Sequence, residues 1–373
     1  MAGNPLRELE TYGQSFWLDY IERRLLASDQ FRRLIEDDGL KGMTSNPTIF
    51  DKAISGSDDY KQQLERLARG GKHTDEIYEA LTFQDIRSAA DILRHLYDQS
   101  SGRHGYVSYE VSPALARDTD ATIVEARRIF AAIDRPNLMV KVPGTREGIP
   151  AFEQLTAEGR NINVTLMFSI RHYEAVAEAF IRGLARRAEK GLPVAAIASV
   201  ASVFVSRIDT LVDKILEKRI SGGSDEALAA LRGKAGIANT KLIYQRFKDY
   251  FYGERFRPLA EKGARVQRPL WGSTGTKNPA YSDVMYVDNL IGPDTVNTMP
   301  PATIDAFRDH GKPRSSIEEG LDNARDVVRR LAGLGIDLDA IGDKLQDEGV
   351  ELFAKSYQQL LDGIERRRAA ALA

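Results

Sequence analysis

The sequence predicts an α/β domain built as a TIM (β/α)8 barrel. Three observations carry this expectation. Short runs rich in β-branched and apolar residues recur along all 373 residues. Longer charged segments with helical spacing separate them, the alternation that builds a parallel sheet. The runs number eight, and eight parallel strands close such a barrel. A length that would otherwise suggest two or three domains therefore fits one, spanning 1–373.

In chain order the predicted strands are SFWLDY (15–20), GLKGMTSNP (39–47), GYVSYEV (105–111), NLMVKVP (137–143), NINVTLMF (161–168), PVAAIASVASVF (193–204), RPLWGSTG (268–275) and TVNTMP (295–300). The first helix with a clear pattern is Asp75–Ser100, where Ile77, Leu81, Ile86, Ala90 and Leu93 recur at helical spacing. Asp118–Ile133 follows the third strand and Ser169–Lys190 the fifth. Ser221–Ser224 and Gly233–Gly236 read as loops that interrupt helices. From Ser315 onward the chain reads as C-terminal helices (315–373), with the tail ERRRAAALA expected to fray.

Composition excludes several functions. Fifty-two basic and 54 acidic residues balance to −2 without a basic block, which argues against nucleic acid as a partner. The absence of cysteine removes disulfides, thiolate metal sites and a cysteine nucleophile together. Five scattered histidines, none in H-x-H or H-E-x-x-H spacing, leave a metal little to bind. Neither a P-loop nor a G-x-G-x-x-G motif occurs, so no nucleotide site and no cofactor is expected. The first residues lack a basic segment followed by an apolar one. The longest apolar stretch, Val194–Val205, is about 12 residues against the roughly 20 of a membrane span. A cytoplasmic location, away from membranes, is the expectation.

The strands are not uniformly apolar. In NLMVKVP, Leu138, Val140 and Val142 oppose Met139 and Lys141. In GYVSYEV, Val107, Tyr109 and Val111 oppose Ser108 and Glu110. In NINVTLMF, Ile162, Val164, Leu166 and Phe168 oppose Asn161, Asn163, Thr165 and Met167. Side chains alternate between the interior and the helix-facing outside of a barrel. Each strand thus offers an apolar outer face and a polar residue inside, near the C-terminal end where such barrels place their active sites. Asp19 ends the first strand, Thr44, Ser45 and Asn46 the second, Ser202 the sixth, and Ser273 and Thr274 the seventh. Singly, each has an ordinary explanation: Lys141 as a rim residue, Glu110 as an ion-pair partner, Asp19 as an N-cap for YIERRLL, Arg207 as an exposed helix residue. Their convergence on one face and one end is what ordinary solvation does not explain.

An unpartnered ammonium is costly to bury, and apolar surroundings favour the neutral amine, which attacks carbonyls to form a Schiff base. The protonated imine stabilises a carbanion at the adjacent carbon, so a C–C bond is broken or made without a metal. Glu110 and Asp19 are carboxylates available for the proton transfers. With Met139 below it on the inner face, Lys141 is expected to stay dry.

The stretches GMTSNPTIF (42–50), SYEVSP (108–113), LMVKVPGT (138–145), INVTLMFS (162–169), SRID (206–209), WGSTGTKNP (271–279) and VNTMP (296–300) resemble the transaldolase family, in family order over nearly the whole chain. The resemblance implies a class I barrel of the non-oxidative pentose phosphate pathway, moving a dihydroxyacetone unit from sedoheptulose 7-phosphate to glyceraldehyde 3-phosphate. It implies sugar phosphates as partners, and a monomer or homodimer. It places the Schiff base on Lys141, a proton-shuttling carboxyl on Glu110, its water on Thr165, and the base that takes the C4 hydroxyl proton on Asp19. Asn46 and Asn163 fall at the positions that bind dihydroxyacetone hydroxyls, with Thr44 and Ser202 beside them. Arg207 falls at the phosphate-binding arginine. After the seventh strand many members present an arginine, whereas this chain has Gly275-Thr276-Lys277. Lys277 with Ser273 is assigned to the phosphate. Two other readings use the same barrel: an aldolase that releases a free three-carbon ketone, and a non-covalent sugar-phosphate isomerase or binding protein.

Overall fold

The computed structural model describes residues 3–220 and 226–373. Eight parallel strands close into a barrel in sequence order: β1 (Ser15–Asp19), β2 (Gly42–Thr44), β3 (Tyr106–Glu110), β4 (Leu138–Pro143), β5 (Ile162–Met167), β6 (Ser199–Phe204), β7 (Arg268–Gly272) and β8 (Val296–Met299). β8 returns to pair with β1, Ser15 opposite Val296. The TIM-barrel expectation is met.

Outward residues such as Phe16, Leu18, Val107, Val140 and Val164 belong to one large apolar cluster shared with the surrounding helices. Inward residues Trp17, Tyr106, Met139, Val200, Leu270 and Val296 form a separate cluster that fills the barrel floor. Met139 is thus placed where the alternation put it, one layer under Lys141. The floor is tightly packed: a Cβ on Gly42 would stand 2.6 Å from the Trp17 ring.

Five local expectations are corrected. The sixth run begins at Ser199 rather than residue 193, because β5 starts at Ile162 and offers no ladder partner to earlier residues; Val194–Ile197 closes a turn instead. Gly236 is not in a loop. The helix Ala235–Phe251 starts before it, and its N–H donates to buried Asp209. Ser221–Ser224 lies outside the described residues. The tail does not fray. The last helix runs Leu338–Leu372, with Leu360 and Ile364 buried and Arg367 donating to the carbonyls of Ile54 and Ser55. The residues before Leu321 are not yet helical; the preceding helix is Leu321–Gly333.

The fifth correction matters for the site. β5 does not alternate to its end. Leu166 adopts φ +61° and the register with β6 slips between Val164 and Met167. The extra residue turns Met167 outward into the main cluster, and sends Leu166 and Phe168 into a second cluster beneath the last two helices. A bulge of this kind re-aims a strand end.

Candidate active site

A cavity of about 450 Å3 opens at the C-terminal ends of the strands. Asp19, Thr44, Asn46, Lys141, Thr165, Ser202, Arg207, Ser273 and Lys277 all line it. Nine of the eleven residues singled out in the sequence therefore meet in one place. Glu110 and Asn163 do not line it; they lie behind its wall.

Strand register sets the centre. Glu110 pairs with Lys141 across β3 and β4, and Lys141 with Asn163 across β4 and β5. Paired residues in a parallel sheet point to the same side, so the three side chains share the interior. Lys141 is 4% exposed. Its Nζ donates to the carbonyl of Ser45 at 2.9 Å and lies 2.7 Å from Glu110 Oε1. Burial raises the pKa of the Glu110 carboxyl, and the Lys141 charge opposes that rise. Glu110 Oε2 and Thr165 Oγ1 are both buried and have no hydrogen-bond partner among the described residues. Glu110, Lys141 and Thr165 share the wall of a smaller cavity of about 20 Å3, roofed by Val350 and Phe353 of the last helix. That volume suits one water molecule.

Asp19 stands at the end of β1 and accepts from Thr44 Oγ1 at 2.7 Å. Since the Thr44 hydroxyl proton goes to this carboxylate, the 2.7 Å contact between Thr44 and Thr298 has Thr298 as donor. Asp19 caps no helix: the next one starts at Arg23 with Glu22 before it. Burial raises the Asp19 pKa too, against the lowering effects of Thr44, Lys141 and Lys277. Thr298 is a site residue that the sequence reading passed over, although it sits at inward spacing within TVNTMP.

Asn46 caps the helix Pro47–Ser55, its Oδ1 accepting from Ile49 N–H. Its amide nitrogen is left for another acceptor. Asn163 is held from both sides, donating to Ser108 Oγ and accepting from Ser202 Oγ at 2.6 Å. Ser273 has φ +54° and its hydroxyl meets Ser206 at 2.9 Å. Arg207 sits in the first turn of the helix Ser206–Ile220, and Lys277 in the exposed loop after β7.

Gln346 was also missed. Its Nε2 donates to the carbonyls of Gly144 and Leu166, both at 2.9 Å, tying the ends of β4 and β5 to the last helix. Nothing in a solvent-rich helical sequence marks it. Among the described residues no His, Cys, Asp or Glu group could hold a metal ion, and no helix is long and apolar enough to cross a membrane.

The class these features define is that of (β/α)8-barrel enzymes, with polar groups gathered on the C-terminal strand ends. Comparison with known proteins narrows it. Residues 16–364 match the family model described as Transaldolase/Fructose-6-phosphate aldolase. The chain is 46% identical over 372 residues to a protein named transaldolase 2 from a Nostoc species, covering 98% of each. It is 48% identical to the transaldolase of Thiobacillus denitrificans, over 96% of this chain and 99% of the relative. It is 45% identical to that of Mycolicibacterium smegmatis over the whole of both. The chain belongs to the transaldolase/fructose-6-phosphate aldolase family. It is an enzyme of the transferase type, with the transaldolase activity that gives the family and these full-length relatives their names, and sugar phosphates are its substrates.

Proposed function

We propose that the chain moves a dihydroxyacetone unit from sedoheptulose 7-phosphate to glyceraldehyde 3-phosphate, giving erythrose 4-phosphate and fructose 6-phosphate, through a Schiff base on Lys141. The observation that carries this reading is the buried Lys141–Glu110 pair, 2.7 Å apart. It puts an amine nucleophile beside a carboxyl group that burial helps to keep protonated.

Neutral Lys141 attacks C2 of the donor ketose, and the carbonyl becomes a carbinolamine hydroxyl. Glu110 passes a proton through a water held by Thr165. The hydroxyl leaves as water and the nitrogen lone pair closes the iminium. Asp19 takes the C4 hydroxyl proton, the C3–C4 electrons flow into the iminium, and erythrose 4-phosphate departs. The three-carbon enamine then adds to the acceptor aldehyde and the steps run in reverse. The unpartnered Thr165 Oγ1 and Glu110 Oε2 support the water's place. The unused amide nitrogen of Asn46 supports a bond to a dihydroxyacetone hydroxyl, with Thr44 and Ser202 completing that side and Asn163 orienting Ser202 from behind. Arg207 takes the phosphate with Ser273 and Lys277, the lysine acting as a point charge without arginine's bidentate fork. None of these steps calls for a metal or a cofactor.

The test couples activity to covalent trapping. Borohydride added with fructose 6-phosphate is expected to leave a three-carbon adduct on Lys141 by mass spectrometry, and Lys141→Ala to abolish transfer. An adduct on another lysine, or an active Lys141→Ala, overturns the assignment. Release of free dihydroxyacetone from fructose 6-phosphate as fast as transfer would assign the chain to its family's aldolase activity. We read residues 1–373 as one barrel domain, its C-terminal helices within 315–373, acting in the cytoplasm as a monomer or homodimer.

A further inference from the structure

We propose that Phe353, on the last helix, is a positioning residue for Arg207, and that through it this helix sets the affinity of the site for phosphorylated substrates. The inference rests on the reading of Arg207 as the phosphate-binding cation.

Arg207 differs from the arginines around the molecule. Surface arginines such as Arg127, Arg135 and Arg246 are each held by a carboxylate. Among the described residues no carboxylate lies within ion-pairing distance of Arg207, and none of its N–H groups donates to the protein; the one acidic charge it feels is the more distant Glu348. What it does have is two aromatic rings. Its Cζ lies 5.3 Å from the Phe204 centroid and 5.9 Å from the Phe353 centroid. Rings cover the faces of a guanidinium through the cation–π attraction and leave its N–H edge unspent. That is the state a planar cation needs to grip a phosphate with two parallel hydrogen bonds. A carboxylate partner would have held it equally still but consumed the same donors.

The two rings come from different parts of the chain. Phe204 ends β6, and Phe353 arrives on the last helix. Close approach of that helix is built in one turn earlier, at Gly349. A Cβ there would stand 2.8 Å from Leu166 Cδ2 and 3.7 Å from Arg207 Nη1. A glycine inside a helix destabilises it relative to alanine, so its presence marks a packing demand. Leu352 and Phe353 then form part of the main cavity wall, with Arg207 and Lys277. The helix is thus a wall of the site and not only a cover over the barrel.

Phe353 is 7% exposed and also packs in the second apolar cluster. A purely structural role would weaken the fold and lower every activity alike, which the test separates. Transfer from sedoheptulose 7-phosphate, read as erythrose 4-phosphate released, is measured with two acceptors, glyceraldehyde 3-phosphate and unphosphorylated glyceraldehyde, for wild type, F353L, F353M, F353Y and R207A. For F353L and F353M the ratio of kcat/KM for glyceraldehyde 3-phosphate to that for glyceraldehyde is expected to fall about tenfold, the scale of a partly desolvated cation–π contact, through a raised KM for the phosphorylated acceptor. F353Y, which keeps the ring, should restore both the ratio and that KM. Equal losses on both acceptors, or an unchanged phosphorylated KM while R207A raises it, overturns the inference alone. An R207A enzyme that keeps its preference for the phosphorylated acceptor overturns the phosphate assignment beneath it.

Discussion

Lys141 Nζ lies 2.7 Å from Glu110 Oε1, across one rung of the ladder between β3 and β4. Both groups are nearly sealed from solvent. Breaking such a pair costs about 3 kcal/mol or more, because the survivor is left as a buried charge, whereas replacing both is close to neutral. Lys141→Met removes the main influence that lowers the Glu110 pKa, so the carboxyl rises further. A raised acid contributes stability that is present below its unfolded pKa and is lost as pH rises. Urea unfolding should therefore find K141M near wild type at pH 4.5 and about 3 kcal/mol weaker at pH 8. The double variant K141M/E110Q should stay close to wild type at both. A K141M enzyme with no pH-dependent loss would contradict the buried pairing.

Asn46 carries two loads that separate by chemistry. Its oxygen caps a helix and its amide nitrogen is free for substrate. Asn46→Ala should lose both, lowering stability by about 1 kcal/mol and leaking free dihydroxyacetone. Asn46→Asp keeps the capping oxygen and loses the donor. It should melt like wild type yet release dihydroxyacetone during turnover, measured with a coupled reductase. Unchanged leakage in N46D would remove Asn46 from the proposed hold on the intermediate.

Gln346 bonds two carbonyls that have no other tie to the last helix. Gln346→Ala leaves them buried and unpaired, which costs about 1–3 kcal/mol. It also frees Leu166 to relax from φ +61°, moving Thr165 beside it. We expect a lower Tm together with slower adduct trapping. Gln346→Ala with wild-type Tm and trapping would mean that the bulge holds itself.

Asp209 is fully buried. Its pKa is pushed up to about 6 by that burial, against hydrogen bonds from Gly236 N–H and Tyr286 Oη. From its ordinary 3.8 the ionised form costs roughly 3 kcal/mol. The sign is that of a raised acid: this stability is complete below pH 3.8 and gone once pH passes about 6. Asp209→Asn cannot ionise. The stability of wild type relative to D209N should fall between pH 4 and pH 7 and stay level above; a level difference throughout would place the carboxylate in a more polar setting.

The pattern of NLMVKVP, GYVSYEV and the first half of NINVTLMF was enough to name the barrel and to put Lys141, Glu110, Asn163 and Thr165 on its interior. Strand periodicity is local, and a parallel barrel leaves one inward face for polar residues to share. Asp19, Asn46 and Ser202 followed from the same rule at other strand ends. Thr298 obeyed it too and could have been read the same way. What the local rule could not see was decided by packing between distant segments. The bulge at Leu166 reverses Met167 because Gln346 and Gly349, on a helix made far later in the chain, meet β5 there. The tail stays helical because Arg367 reaches the carbonyls of Ile54 and Ser55. Phe353 faces Arg207 because the same helix crosses the mouth of the barrel. Side-chain alternation is written in consecutive residues. Which helix lies over which strand end is not, and there the tertiary structure alone decides.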